Sequence, residues 1–336
     1  MDEKGEYVSV TQIFVFFFTL IFVAFLKHRR TKRRETQFTS IQQRIGTNAQ
    51  FHHIPISKES FEKGKSWVPK INDIILVCAP KTGTTWLQQL CHQIRTKGHM
   101  EFQDIYQVSP WIQLAWDLDQ TIDTPQVAPP RIFKTHQRLS AVNKGAKYLC
   151  TIRDPVDTLI SWYNFLKAHG APVAVENSLD DFINNKEYVT ENMRFGASIW
   201  EYYVEFVKCC SLPNVYVLVF EDLVQNIETL IPKIAEFMGV KLSSAEINTV
   251  VKLSSKDFMS KCDAFSESWT YDQLVKVGRC PDPESFCPVS KVSAGHHDVF
   301  SNASLLKLKE KWDTIVYDQT GIKNYDEMCN FVRTYY

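Results

Sequence analysis

The chain has 336 residues, room for one large or two modest domains, and its 44% hydrophobic and 23% charged content is ordinary for a globular protein with a sizeable core. Its 38 Lys and Arg are balanced by 38 Asp and Glu, and a formal net charge of zero argues against nucleic acid as the main partner. Nine cysteines are scattered without the doubled C-x-x-C spacing of a metal framework. Cys78 and Cys150 sit in apolar runs and read as reduced core thiols, whereas Cys280 and Cys287 flank a Pro-rich loop where a disulfide is the rival reading.

Val8 to Leu26 is nearly all apolar and carries no charge. At about 1.5 Å per helical residue it comes close to crossing a ~30 Å hydrocarbon layer. No small-x-small cleavage site follows it; the chain runs directly into Lys27-His28-Arg29-Arg30-Thr31-Lys32-Arg33-Arg34, so a single membrane anchor is favoured over a signal peptide. Asp2, Glu3, Lys4 and Glu6 lie on one side and six Lys or Arg on the other, which by the positive-inside rule predicts a single-pass protein with its downstream part in the cytosol. The expected organisation is a tail over 1–7, an anchor over 8–26, a basic and polar linker over 27–55 and one catalytic domain over 56–336.

Ile71 to Gln89 then organises the rest. Ile74, Ile75, Leu76 and Val77 predict a short buried strand, Pro80 and Gly83 interrupt it, and Leu87, Leu90, Cys91 and Ile94 recur at helical spacing. Strand, tight turn and helix together aim several backbone N–H groups at one point, with the positive end of the helix dipole behind them. Lys81 adds a charge and Thr82, Thr84 and Thr85 add hydroxyls, giving a cradle sized for a phosphate. The spacing does not match G-x-x-x-x-G-K-[ST], so the standard nucleoside-triphosphate loop is a poor fit.

Further along, Tyr106 to Pro130 predicts loops with short helical pieces. Arg131 to His136 reads as a brief strand, and Lys147 to Ile152 as a buried strand ending at Arg153-Asp154-Pro155. Pro155 suits a helix start, and Val156, Leu159, Ile160, Tyr163 and Leu166 continue at helical spacing past Ser161. Phe195 to Cys210 predicts an amphipathic helix, Asn214 to Phe220 a buried strand, and Leu230–Met238, Ala245–Leu253 and Ser304–Val316 three more helices. Strands alternating with helices predict an α/β fold, a three-layer arrangement with a P-loop-like central parallel sheet flanked by helices. Adjacent histidines point apart in a strand, so His52-His53 and His296-His297 read as solvated loop residues, and no metal site is expected.

Lys81 to Trp86, Lys134 to His136, and Arg153 with Ser161 all fall at or beyond the carboxyl ends of predicted parallel strands, where open α/β sheets bind ligands. Together P-K-T-G-T-T-W, R-I-F-K-T-H and R-D-P-x-D-x-x-x-S-W-Y resemble the cytosolic-type sulfotransferases that use PAPS (phosphoadenosine phosphosulfate), over roughly Ile56 to Val316. The resemblance implies that Lys81, Thr82, Gly83, Thr84, Thr85 and Trp86 hold the 5′-phosphosulfate, with Trp86 also near the adenine. It implies that Arg153 and Ser161 bind the 3′-phosphate, and that Ser254 and Met259 approach the adenine. Phe220 stands where the family usually has Tyr, able to stack but not to donate. The family's late Arg-Lys-Gly loop is matched by Ser290 to His297, with Lys291 and Gly295 in place and the Arg missing; Arg279 is a candidate to replace it in space.

Sulfuryl transfer to an alcohol, phenol or amine needs the acceptor proton removed as attack proceeds, and His136 suits a general base. Lys81 can stabilise the departing phosphate and Lys134 the sulfonyl oxygens in flight, leaving PAP as product. Cationic side chains and N–H groups meet the charge, so no metal is expected. Phe102, Tyr106, Trp111, Trp116 and Phe165 to Ala174 are candidates to line an apolar pocket for a small hydroxyl or amine acceptor. A homodimer is left open. The rival readings are a catalytically silent PAP or PAPS binder and a P-loop kinase; the first is opposed by Lys81, Lys134 and His136, the second by the absent Walker lysine.

Overall fold

Four short strands, β1 (Ile74–Cys78), β2 (Ile132–Thr135), β3 (Lys147–Ile152) and β4 (Val215–Val219), form a parallel sheet in the order β2-β1-β3-β4 in a computed structural model that describes residues 56–169, 171–184, 197–279 and 300–335. The near-continuous apolar character of these strands follows from burial on both faces. Ile75, Val77, Phe133, Tyr148, Cys150 and Val217 enter one core, and their neighbours Ile74, Leu76, Cys78, Ile132, Leu149 and Leu218 enter another on the opposite side.

In chain order the helices are α1 (Lys58–Ser66), α2 (Thr84–Thr96), α3 (Ile105–Val108), α4 (Pro155–Ala168), α5 (Pro172–Val175), α6 (Leu179–Asn184), α7 (Ile199–Cys209), α8 (Phe220–Met238), α9 (Ser244–Leu253), α10 (Lys256–Lys261), α11 (Ser268–Lys276), α12 (Asn302–Lys311), α13 (Asp318–Thr320) and α14 (Tyr325–Arg333). Helices α2, α8 and α9 cover one face through Leu87, Leu90, Leu230, Ile234 and Val250. On the other, α4, α7 and the C-terminal helices pack through Leu159, Trp200, Tyr203, Leu308, Trp312 and Val332. A third, smaller cluster joins α3, α10 and α11 through Tyr106, Trp111, Met259, Phe265 and Leu274.

This layering places the site. The chain leaves β1 through α2 on one face and β3 through α4 on the other, and β2 and β3 lie on opposite sides of β1. A crevice therefore opens at the carboxyl ends of β1 and β3, the switch point at which open α/β sheets take ligands.

Some elements run differently from their sequence pattern. The predicted strand to Phe220 stops at Val219, and Phe220 instead begins α8, a 19-residue helix whose second half alone was expected. Asn226 (φ −136°, ψ 35°) is not helical, so α8 is two helical pieces joined at a kink, and the second piece, which contains Pro232, holds the expected Leu230–Met238 helix. The late helix begins at Asn302 under a Ser301 cap, and its end widens into a π turn over Trp312–Tyr317. The predicted anchor Val8–Leu26, the linker, Lys291, Gly295, Cys280, Cys287 and both histidine pairs lie outside the described residues. Among the described residues no helix is long and apolar enough to cross a membrane.

Candidate active site at the strand ends

Beyond β1 the backbone turns through two left-handed residues, Lys81 (φ 66°) and Gly83 (φ 100°), before α2 starts at Thr84. Lys81 is not a glycine, and such a conformation costs a side chain about 1–3 kcal/mol. Three contacts hold the turn. The Thr82 hydroxyl donates to the Ala79 carbonyl at 2.8 Å and meets the Thr151 hydroxyl of β3 at 3.0 Å, while Arg153 Nη1 donates to the Lys81 carbonyl at 3.0 Å. Gly83 is fixed by a neighbour as well as by φ, since a Cβ there would lie 2.6 Å from Phe220 Cδ2. The first N–H groups of α2, at Thr84, Thr85 and Trp86, have no partner within the helix and face the crevice end. Buried Thr84 Oγ1 has no hydrogen-bond partner among the described residues. Oriented donors beside a lysine make an anion cradle. Beneath it, burial pushes the Cys78 thiol up to about 11, so this sulfur stays protonated.

Arg153 leaves the end of β3. Its guanidinium carbon lies 4.6 Å from the centre of the Phe220 ring, and its Nε has no hydrogen-bond partner among the described residues. Asp154 caps α4 by accepting from Asp157 N at 3.0 Å, and its own N–H donates to Glu221 at 3.0 Å. Half-buried Ser161 follows two turns down α4. Helix α7 supports both strand ends from behind: the Tyr203 hydroxyl donates to the Arg153 carbonyl and the Tyr202 hydroxyl to the His136 carbonyl.

Trp86, Phe220, Ser254 and Met259, from four separate segments, come together. Trp86 stands edge-on to Phe220 at 5.5 Å and donates through Nε1 to the Ser254 carbonyl at 2.7 Å. Ser254 is fully buried, with an Oγ that has no partner among the described residues, and Met259 packs in the small cluster that Trp86 also touches. An apolar slot edged by an orphaned hydroxyl suits a flat heterocycle. Lys291 and Gly295 fall outside the described residues. Arg279 is taken up by Asp117, at 3.1 Å, a carboxylate that also accepts from Ser57.

His136 and Lys134 sit at the end of β2, both almost fully buried. His136 Nδ1 is 2.8 Å from the Cys78 carbonyl. A carbonyl can only accept, so Nδ1 carries the hydrogen, and in the neutral ring Nε2 keeps its lone pair. Trp111, bridged to β2 beside Lys134, sets its ring edge-on to the imidazole at 5.2 Å. Lys134 Nζ lies 4.2 Å from the Trp111 ring centre and 4.4 Å from that of Tyr106, and donates to the Tyr106 hydroxyl at 2.6 Å. Across the crevice Lys81 Nζ lies 4.1 Å over the Phe165 ring.

Of the expected acceptor-side residues, Tyr106, Trp111 and Phe165 therefore meet the two lysines. Phe102 packs instead on His92, His99 and Phe265, and Trp116 against the larger core. Sequence reasoning missed Glu267, which accepts from the Tyr106 hydroxyl at 2.7 Å. Nothing in S-E-S-W distinguishes it, because its role depends on contact across 161 positions. It also missed the carbonyl that sets the His136 tautomer, which no residue type can signal.

The model of the sulfotransferase domain family matches residues 71–282, more than half of the chain. Sulfotransferase 2A2 of Rattus norvegicus is 29% identical over 232 residues, covering 66% of this chain and 79% of the relative. The 3-alpha-hydroxysteroid sulfotransferase of Cavia porcellus is 30% identical over 203 residues, 57% of this chain and 67% of the relative. Among solved structures, mouse sulfotransferase SULT7A1 complexed with PAP superposes with a TM-score of 0.59 at 17% identity, over 83% of this chain and 93% of that one. Retinol dehydratase in complex with androsterone and PAP gives 0.59 at 17% identity, over 78% and 87%. At that identity the structures establish the fold, and the family match with its curated relatives carries the class: the chain belongs to the PAPS-dependent sulfotransferases and is an enzyme of that family.

Proposed function

We propose that this enzyme moves the sulfuryl group of PAPS onto the hydroxyl, or the amine, of a small apolar acceptor, with His136 as general base. The carrying observation is the Nδ1 hydrogen bond of His136 to the Cys78 carbonyl, which leaves Nε2 as the basic atom of the neutral ring. The acceptor O–H gives its proton to Nε2 as its oxygen bonds to sulfur, and the bond from sulfur to the bridging phosphate oxygen breaks with its electron pair going to that oxygen. Lys81 and the N–H groups opening α2 meet the charge gathering on the 5′-phosphate, and Lys134 meets the sulfuryl oxygens. Arg153 and Ser161 hold the 3′-phosphate, to which the family resemblance also assigns Lys291 and Gly295, and Trp86, Phe220, Ser254 and Met259 enclose the adenine.

Two observations support an apolar alcohol. Aromatic rings of Tyr106, Trp111 and Phe165 lie against the two lysines, and relatives from Cavia porcellus are named hydroxysteroid sulfotransferases. The test is transfer of label from ³⁵S-PAPS to a panel of steroid alcohols, simple phenols and amines by the full chain in detergent, beside His136→Ala. Loss of general-base catalysis lowers transfer about 10²–10⁴-fold, with PAP binding retained; a variant that keeps the wild-type rate removes His136 from this role. Val8–Leu26 is proposed as a membrane anchor with the catalytic domain in the cytosol, supported by the basic run that follows it. Digestion of the catalytic domain by protease added outside intact microsomes is the expected result, and protection would reverse the orientation.

A further inference from the structure

Lys134 is held in a way that strand geometry does not account for. A buried ammonium needs acceptors and a compensating charge. One acceptor is the Tyr106 hydroxyl at 2.6 Å, and that hydroxyl passes its only hydrogen to Glu267 Oε1 at 2.7 Å. The polarity runs one way, from ammonium through phenol to carboxylate, so each bond strengthens the other. All three side chains are nearly inaccessible to solvent, Lys134 4%, Tyr106 1% and Glu267 3% exposed.

The frame around this relay is stiff. Glu267 occupies the left-handed region (φ 58°, ψ 12°) at the N-cap of α11. Glycine would sit there without strain; what glycine would lack is the carboxylate. One residue pair further out, Asp104 caps α3 by accepting from Tyr106 N at 2.9 Å, and accepts from the Thr270 hydroxyl of α11 at 2.8 Å. The two helices are thus fastened together at two points, the Tyr106 phenol on Glu267 and the Thr270 hydroxyl on Asp104. The Trp111 and Tyr106 rings flank the ammonium, leaving little lateral freedom.

We infer that Tyr106 and Glu267 are positioning residues, a relay that holds the Lys134 ammonium in register for the sulfuryl oxygens of PAPS. The inference rests on the role proposed for Lys134, and it makes α11, outside the sheet, part of the transfer machinery. A group that touches only the sulfuryl end distinguishes PAPS from PAP. Residues that aim such a group share that signature, whereas a purely structural contact moves both affinities or neither.

The experiment is titration calorimetry of the full chain in detergent with PAPS and with PAP, for wild type, Lys134→Met, Tyr106→Phe and Glu267→Gln. Loss of one charge-assisted hydrogen bond weakens PAPS binding about tenfold in Lys134→Met, and loosened aim about fivefold in the other two. PAP affinity stays within about twofold in all three, because the 5′-phosphate is held elsewhere. Combining Tyr106→Phe with Lys134→Met adds nothing to the Lys134→Met loss, since the relay acts through that lysine. Tyr106→Phe keeps the ring that packs on Lys134, and Glu267→Gln carries the test if the phenylalanine variant does not fold. PAPS affinity unchanged in the two relay variants but reduced in Lys134→Met overturns the relay alone. An unchanged PAPS-to-PAP ratio in Lys134→Met overturns the role of Lys134 itself, and the relay with it.

Discussion

The two cationic ends of the site are built in opposite ways. Around Lys81 and Arg153 the architecture belongs to the sheet: adjacent parallel strands end side by side, a turn fixed by left-handed residues follows one of them, and Arg153 from the other ties that turn through its carbonyl. Around Lys134 the strand supplies only a starting point. The ammonium is aimed by Tyr106, from a short helix 28 residues earlier, and Tyr106 in turn by Glu267, 161 residues later. A sheet-built end depends on backbone conformation and tolerates remote change. A side-chain-built end should fail when distant residues are altered and leave the phosphate cradle intact.

Arg153→Met is the strongest way to break this contrast. A buried charge-assisted contact to phosphate is worth about 1.5–3 kcal/mol, so PAP affinity should fall about 10–100-fold. Affinity for 5′-AMP, which lacks the 3′-phosphate, should change far less, and equal losses for the two nucleotides would mean that Arg153 serves the turn through the Lys81 carbonyl instead.

Gly83→Ala probes the backbone directly. The substitution combines a left-handed φ of 100° with a Cβ placed 2.6 Å from Phe220 Cδ2, and Phe220 is confined between Trp86 and Arg153. Destabilisation of about 1–3 kcal/mol is expected in denaturant unfolding. Adding Phe220→Ala should restore part of it, because the clash disappears while the strain in φ remains. Strictly additive losses would show that the ring does not confine the glycine.

The same division decides what the sequence could reveal. Lys147–Ile152 is both the predicted and the observed strand, and the Ile74 to Thr96 unit is legible because its apolar pattern changes period at a lysine, a threonine and a glycine. Local rules carry that much. Phe220 follows the end of β4 and opens α8, a boundary the sequence does not mark because an aromatic before Glu-Asp signals neither strand nor helix. The carboxylate of Glu267 left no local trace at all: its burial, its left-handed backbone and its phenol partner are products of packing α11 against α3. Sequence pattern thus located the cradle and placed His136 at the end of β2, and tertiary contact brought Tyr106 and Glu267 to the second lysine.

The smallest expected effect bears on that second end. Burial holds the Asp104 carboxyl up at about 6, with the nearby Glu267 charge adding to it, while Tyr106 and Thr270 donate to the carboxylate and oppose the rise. In the unfolded chain the group returns to an ordinary value near 3.8. Between these values the folded state binds the proton and the unfolded state does not, so this group makes stability fall as pH rises from about 4 to about 6. Above that window both states are ionised and its contribution is constant. Asp104→Asn removes the ionisation while its amide oxygen can still accept from Tyr106 N. The Tm of the variant minus that of wild type should therefore rise across pH 4–6 by about 4 °C and level off beyond. A difference independent of pH would mean that the α3–α11 fastening is indifferent to charge, and the end of the site built from side chains would then be set by packing alone.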